Sequence, residues 1–217
     1  MSVHGPLGAT ESGAVQIRNR ALRTRARSLG DSAGLLALGG LLLTTLLIAV
    51  AAANTDTLLP ESVRPIPSWL AGPFGSAGLS LGGGGVIAVL VAMFASYVVA
   101  TQAAERLSAR TVLMAIAAMH ALVVLAPPLL STDIFSYQFY GRMGAVYGAN
   151  PYLAGPHAVA LDPLYPYIGA KWSYTPTVYG PVFTALSYVL APLSIAASAL
   201  VYKAIAAGAS LGTVALV

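Results

Sequence analysis

The sequence predicts an all-α membrane protein that crosses the bilayer several times, and three observations predict it. Of its 217 residues 57% are apolar and only 8% charged, against about 45–50% and about 25% in soluble domains. Seven acids and eleven bases cannot coat a soluble globule of this size. Uncharged stretches long enough to cross roughly 30 Å of hydrocarbon recur along the chain. The basic residues are bunched, as they are where charge sets orientation. The absence of cysteine excludes a disulfide framework, a thiolate metal site and a cysteine nucleophile.

The elements follow in order. Residues 1–32 form a basic leader with Arg18, Arg20, Arg23, Arg25 and Arg27. Residues 33–53 carry no charge and make the first span. Ala51-Ala52-Ala53 resembles a signal-peptidase site, but the apolar run and the leader are both too long, so the span reads as a retained anchor. A second span runs from about Leu79 to Thr101. Its opening Gly82–Gly85 run lacks the lysine and the strand of a phosphate loop, and reads instead as a place of close helix packing. A third span covers about Thr111 to Leu130 and contains Pro127-Pro128, so residues 33–130 hold three transmembrane helices with short loops. Residues 131–180 are polar, and 181–217 turn apolar again around Lys203. The chain stops inside an apolar run, which reads as an end buried by a partner chain or, the preferred reading, as the N-terminal part of a longer polytopic protein. Two arrangements fit 181–217: two crossings that meet near Lys203, or a short helix to Leu193 broken at Pro192 and followed by one crossing.

Orientation follows the basic residues at span ends. The arginine-rich leader, with Arg106 and Arg110 between spans two and three, places the N-terminus in the cytoplasm. Segments 54–78 and 131–180 then lie outside the plasma membrane, and the arginine cluster is a topology signal rather than a nucleic-acid site. His120, inside a span, is a functional candidate by position. Its plainer reading is an imidazole bonded to a neighbouring helix.

Segment 131–180 is where chemistry is expected. It holds eight of the eleven tyrosines, one of the two tryptophans and five prolines, too much for a simple connector. Aromatic rings stack on sugar faces, and they also anchor proteins at membrane interfaces. Ser131-Thr132-Asp133 after the diproline offers a helix start, and Gly148 with Asn150-Pro151 a stop. At 100° per residue Asp133, Tyr137, Tyr140 and Tyr147 share one face, while Phe135, Phe139, Met143 and Val146 gather opposite. That pattern suits a helix lying on the membrane surface with its apolar face in lipid. Asp133 is then either a proton acceptor among phenols or a plain helix cap. Arg142 lies about 180° round the helix from Asp133, free to reach a lipid phosphate or the phosphate of a lipid-linked substrate. Asp162 reads first as a turn starter.

Taken together, Asp133-Ile134-Phe135-Ser136-Tyr137, Gly141-Arg142, Asn150-Pro151-Tyr152, Asp162-Pro163, Trp172 and Thr175-Pro176-Thr177-Val178-Tyr179-Gly180-Pro181-Val182-Phe183 form an ordered series. The series resembles the polyprenol-phosphate-mannose-dependent α-1,6-mannosyltransferases of actinobacterial lipomannan synthesis, members of the glycosyltransferase C superfamily. The resemblance covers about 131–190 well and the earlier spans in layout. It implies a glycosyltransferase-C-like helical fold with a long external loop and a catalytic aspartate just after a span, the position of Asp133. A single Asp preceded by Thr132 stands here where many superfamily members carry an acidic pair. The implied reaction is an inverting transfer of mannose from a polyprenyl-phosphate donor to a glycolipid or mannan acceptor in the bilayer. Asp133 would be the base, with Tyr137, Arg142, Asn150, Tyr152, Asp162, Lys171, Trp172 and Tyr179 as substrate-binding candidates. Charge stabilisation of the departing phosphate falls to Arg142, Lys171 or Lys203. No cofactor is implied beyond the lipid-linked donor, and the question of a divalent metal stays open. The rival class is a non-catalytic transporter, flippase or scaffold subunit, for which repeated halves with broken spans are the expected signal.

Overall fold

A computed structural model of the chain describes residues 32–64 and 66–216. The basic leader therefore lies outside the described residues. All regular structure among the described residues is helical. Three helices are long and apolar enough to cross a membrane: α1 (Ser32–Asn54), α3 (Gly83–Gln102) and α7 (Ile195–Leu216), of 23, 20 and 22 residues. The chain is an all-helical membrane protein, as its composition predicts. The single turn α2 (Ser68–Ala71) lies between α1 and α3.

Helix α4 (Ala109–Leu125) begins where the Ser108 hydroxyl accepts the Thr111 N–H at 3.1 Å, and its 17 residues stop short of the diproline. Helix α5 spans Asp133–Ala145 and α6 spans Pro181–Leu190. With ten residues α6 is too short to cross. The chain breaks around Pro192 and restarts at Ile195, so the helix lengths are those of the second arrangement expected for 181–217.

Small residues let the long helices approach. Ala37, Leu38 and Leu41 of α1 pack on Ala100 and Ala115. At Gly40 any Cβ would crowd Ser96 Oγ, so glycine is what brings α1 against α3 there. The Gly82–Gly85 run corrects the expectation of close packing. A Cβ added at Gly82, Gly83 or Gly84 would meet nothing within 4 Å. Gly82 instead takes the extended N-cap conformation from which α3 starts.

Two polar contacts tie α4 to α7. His120 Nδ1 donates to the Ile116 carbonyl at 2.8 Å, and Nε2 pairs with Ser210 Oγ at 2.9 Å, the bond to a neighbouring helix that the plainer reading expected. Lys203 Nζ donates to the Val124 carbonyl at 3.1 Å and to the Ala126 carbonyl. Pro128 has no N–H to offer the Val124 carbonyl, and the Leu130 N–H is taken by the Leu58 carbonyl, so an ammonium from α7 serves the carbonyls at this helix end.

Beyond α4 the chain builds a second core. Leu59, Val63 and Leu70, from the connection between α1 and α3, meet Phe135, Phe139, Tyr140 and Met143 of α5 and Leu164 and Ile168 of the turn-rich segment. Phe135, Phe139, Met143 and Leu164 are 0% exposed. This corrects the surface-helix expectation: the apolar face of α5 is buried in protein, because residues 58–64, 66–70 and 151–168 fold over it. Val146, expected on that face, lies past the end of α5 and is 52% exposed. Helix α6 packs so closely on the other side of α5 that a Cβ at Gly141 would collide with the Ser187 carbonyl.

The close approach gives a test. Gly141→Ala should cost about 1–3 kcal/mol by overpacking, read as a lowered thermal midpoint of the detergent-solubilised protein. Gly208→Ala on α7, where an added Cβ meets nothing within 4 Å, should be neutral or gain up to about 1 kcal/mol in helix propensity.

Candidate active-site cleft

Asp133 is the first residue of α5, and the Ser131 hydroxyl accepts its N–H at 3.1 Å. Its carboxylate makes no hydrogen bond among the described residues, so it is not the cap of its helix. The positive end of α5 favours a negative charge at this position. The side chain is exposed to an open cleft of about 640 Å³, a size suited to small ligands.

Three stretches wall the cleft: 60–62, 130–133 and 166–172. Two bonds fix them to each other. Leu130 N–H donates to the Leu58 carbonyl at 2.9 Å, and Ser62 Oγ donates to the Tyr167 carbonyl at 3.0 Å. Leu130 holds φ +58°, a left-handed conformation that a leucine adopts at a cost of about 1–2 kcal/mol, sustained by its surroundings. Lys171 and Trp172 stand on the 166–172 wall, the ammonium 4.9 Å from the indole ring centre. The cleft thus offers a carboxylate, a cation and an aromatic face.

Behind Asp133 stands an aromatic cluster. Tyr137 meets Tyr179 and Phe183 with ring centres 4.7 Å apart in each case, and Tyr202 at 5.7 Å. Burial, and then the nearby negative charge of Asp133, push the phenols of Tyr137 and Tyr179 above the usual tyrosine range. Both remain protonated next to the carboxylate. Tyr140 is buried, and its hydroxyl donates to the Thr175 carbonyl at 2.8 Å.

Arg142 and Asp162 meet each other away from the cleft lining. Arg142 Nε and Nη2 each lie 2.8 Å from Asp162 Oδ2, the Tyr147 hydroxyl donates to the same oxygen at 2.8 Å, and Leu164 N–H donates to Oδ1 at 2.8 Å. Asp162 is 2% exposed. Burial alone would raise its pKa, but bonds from Arg142, Leu164 and Tyr147, with the guanidinium charge, hold it below the usual carboxylate range. Asp162 therefore starts a turn and anchors an ion pair. Tyr147, expected on the Asp133 face, lies past the helix end and serves Asp162.

Asn150 and Tyr152 shape the segment from outside the cleft. Asn150 Oδ1 accepts the Tyr152 N–H at 2.9 Å; the Tyr152 hydroxyl donates to the Tyr179 carbonyl at 3.0 Å and meets Thr184 Oγ1 at 2.9 Å. Lys203 lines an apolar cavity of about 330 Å³ together with Trp69 and Ile134, not the Asp133 cleft. Of the sequence candidates, the fold brings Asp133, Lys171 and Trp172 to one cleft and sets Tyr137 and Tyr179 behind it. Sequence reasoning missed Glu61, on the 60–62 wall. The one available signal was topological, since 54–78 and 131–180 are expected on the same side of the membrane. Among the described residues no three His, Asp or Glu side chains gather as a metal site.

The family model described as alpha-(1->6)-mannopyranosyltransferase, N-terminal domain, matches residues 35–217. The match includes every described helix from α3 onward and all three walls of the cleft. Neither a curated protein nor a solved structure gives a significant match.

The Arg142–Asp162 pair carries a pH dependence of known sign. A carboxylate with a depressed folded pKa stabilises above its unfolded value of about 3.9, and that contribution is lost as pH falls through the folded value. Acidification below about pH 4 should therefore loosen residues 146–168, measurable by hydrogen exchange. Asp162→Asn should abolish this dependence and cost about 3 kcal/mol at neutral pH by leaving Arg142 unpaired.

Proposed function

We propose, since the chain belongs to the alpha-(1->6)-mannopyranosyltransferase family, that the Asp133 cleft transfers mannose from a polyprenyl-phosphate donor to a glycolipid or mannan acceptor at the external face of the plasma membrane. The observation that carries this reading is an exposed, unbonded carboxylate at the first residue of a helix, sharing a cleft with Lys171 and Trp172.

The reaction is an inverting displacement. The acceptor hydroxyl oxygen attacks the anomeric carbon of a β-linked mannosyl phosphate, and the bond from that carbon to the phosphate oxygen breaks with its electron pair. Asp133 takes the hydroxyl proton, and an α-linked mannoside forms. The polyprenyl phosphate leaves already ionised, so it needs charge stabilisation rather than a general acid. Of the three cations proposed for that task, Lys171 alone lines the cleft. Arg142 is committed to Asp162, and Lys203 to the end of α4. Trp172 offers a sugar face a stacking surface. Tyr137 and Tyr179 back the carboxylate, and Arg142, Asp162, Asn150 and Tyr152 hold the loop that carries Lys171 and Trp172.

Asp133→Asn keeps the shape and removes the proton acceptor. With folded protein quantified alongside turnover, in membranes supplied with polyprenyl-phosphate mannose and a short mannoside, activity should fall about 10²–10⁴-fold. Near-normal turnover would sink the assignment of Asp133 as base. Orientation is tested separately in this cysteine-free chain. Cysteines placed at the exposed positions Ala160 and Ala104 should differ on intact cells, with an impermeant maleimide labelling the first and sparing the second. The reverse pattern would invert the proposed topology.

A further inference from the structure

The third wall of the cleft has no role in the transfer as described. Its central residue, Glu61, begins a 3-10 turn (Glu61–Val63) directly after Pro60. The turn is held at two points. Val63 is 1% exposed in the core shared with Phe135 and Leu164, and the Ser62 hydroxyl is bonded to the Tyr167 carbonyl. The bond from Leu130 N–H to the Leu58 carbonyl fixes the same stretch to the segment that leads into Asp133. Glu61 itself is exposed, and its carboxylate makes no hydrogen bond or ion pair among the described residues. A firmly mounted carboxylate with no partner among the described residues thus lines the cleft from a wall far in sequence from both Asp133 and Lys171.

We infer, resting on the transferase reading, that Glu61 is a positioning residue of the acceptor-sugar subsite. The electrostatics select the substrate. The donor brings a phosphate, which Glu61 repels and Lys171 attracts, whereas a neutral acceptor sugar brings hydroxyl groups. An ionised carboxylate only accepts hydrogen bonds and has two oxygens to do so, which suits a pair of sugar hydroxyls. Asp133 takes the proton of the attacking hydroxyl, while Glu61 holds other hydroxyls of the same sugar and so binds the acceptor equally before and during the attack. The cleft is therefore complete only when the connection between α1 and α3 is in place, and acceptor selectivity depends on a residue about seventy positions before the base.

The experiment pairs kinetics with binding. In Glu61→Gln and Glu61→Ala the KM for a short α-mannoside should rise about tenfold, the loss expected for one charge-assisted hydrogen bond. kcat, its pH profile and the KM for the polyprenyl-phosphate donor should hold, and Glu61→Asp should recover part of the loss. Saturation-transfer NMR of the same mannoside with detergent-solubilised protein supplies a readout independent of turnover, and the signal should weaken in Glu61→Gln. An unchanged acceptor KM with unchanged mannoside signal overturns the inference and leaves the transferase reading standing, and so does an equal rise in donor KM. If the protein transfers no mannose yet loses mannoside binding in Glu61→Gln, the transferase reading fails and the sugar site survives. Wild-type protein that gives no mannoside signal overturns the inference.

Discussion

Everything at the cleft depends on which way α5 is turned, and that is decided by three side chains. Phe135, Phe139 and Met143 form one stripe and are wholly buried. Each such burial is worth about 1.5–3 kcal/mol, so rotating the helix would expose most of its hold on the protein. With the stripe inward, 100° per residue points Asp133 about 120° away, toward the cleft, and Arg142 about 180° from Asp133, toward Asp162. The orientation of the Asp133 carboxylate is thus a by-product of apolar packing. No polar contact has to aim it, which leaves its oxygens available.

The same economy governs the cations. Three basic residues in this half of the chain could meet a phosphate, and the fold gives each a different neighbour. Arg142 has a buried carboxylate, Lys203 two carbonyls at the end of α4, and Lys171 the face of an indole at the cleft. An arginine fork suits the bidentate pair, and a lysine suits a point contact. Only the cation left beside an aromatic ring keeps its charge free for a ligand.

The long apolar helices α1 and α3 are legible in the sequence because composition and length are local properties, whereas the third expected span is in the structure a helix of only 17 residues, Ala109–Leu125. The start of α5 is legible for the same reason, from Ser131 to Asp133 after the diproline. The apolar face of α5 was equally visible as a periodicity, but a stripe of phenylalanines does not say whether lipid or protein covers it. That depended on Leu59, Val63 and Leu164, whose place is set by chain segments far away in sequence. Glu61 escaped notice for the same reason. Arg142 and Asp162, twenty residues apart across several turns, each had a plausible local use, and only the folded loop joins them. Gly82, Gly83 and Gly84 at the start of α3 show the opposite failure, a composition that suggests close contact where the fold places none.

The end of α4 has a consequence for how the protein is made. Pro128 deprives the Val124 carbonyl of the N–H that a following turn normally supplies, and Lys203, 79 residues beyond Val124, provides a donor there. A ribosome delivers α4 and the whole turn-rich segment well before it delivers that lysine. Until α7 packs on α4, the Val124 and Ala126 carbonyls lack the ammonium that they have in the folded chain. The end of α4 is therefore completed against the order of synthesis, by a side chain from a helix made much later.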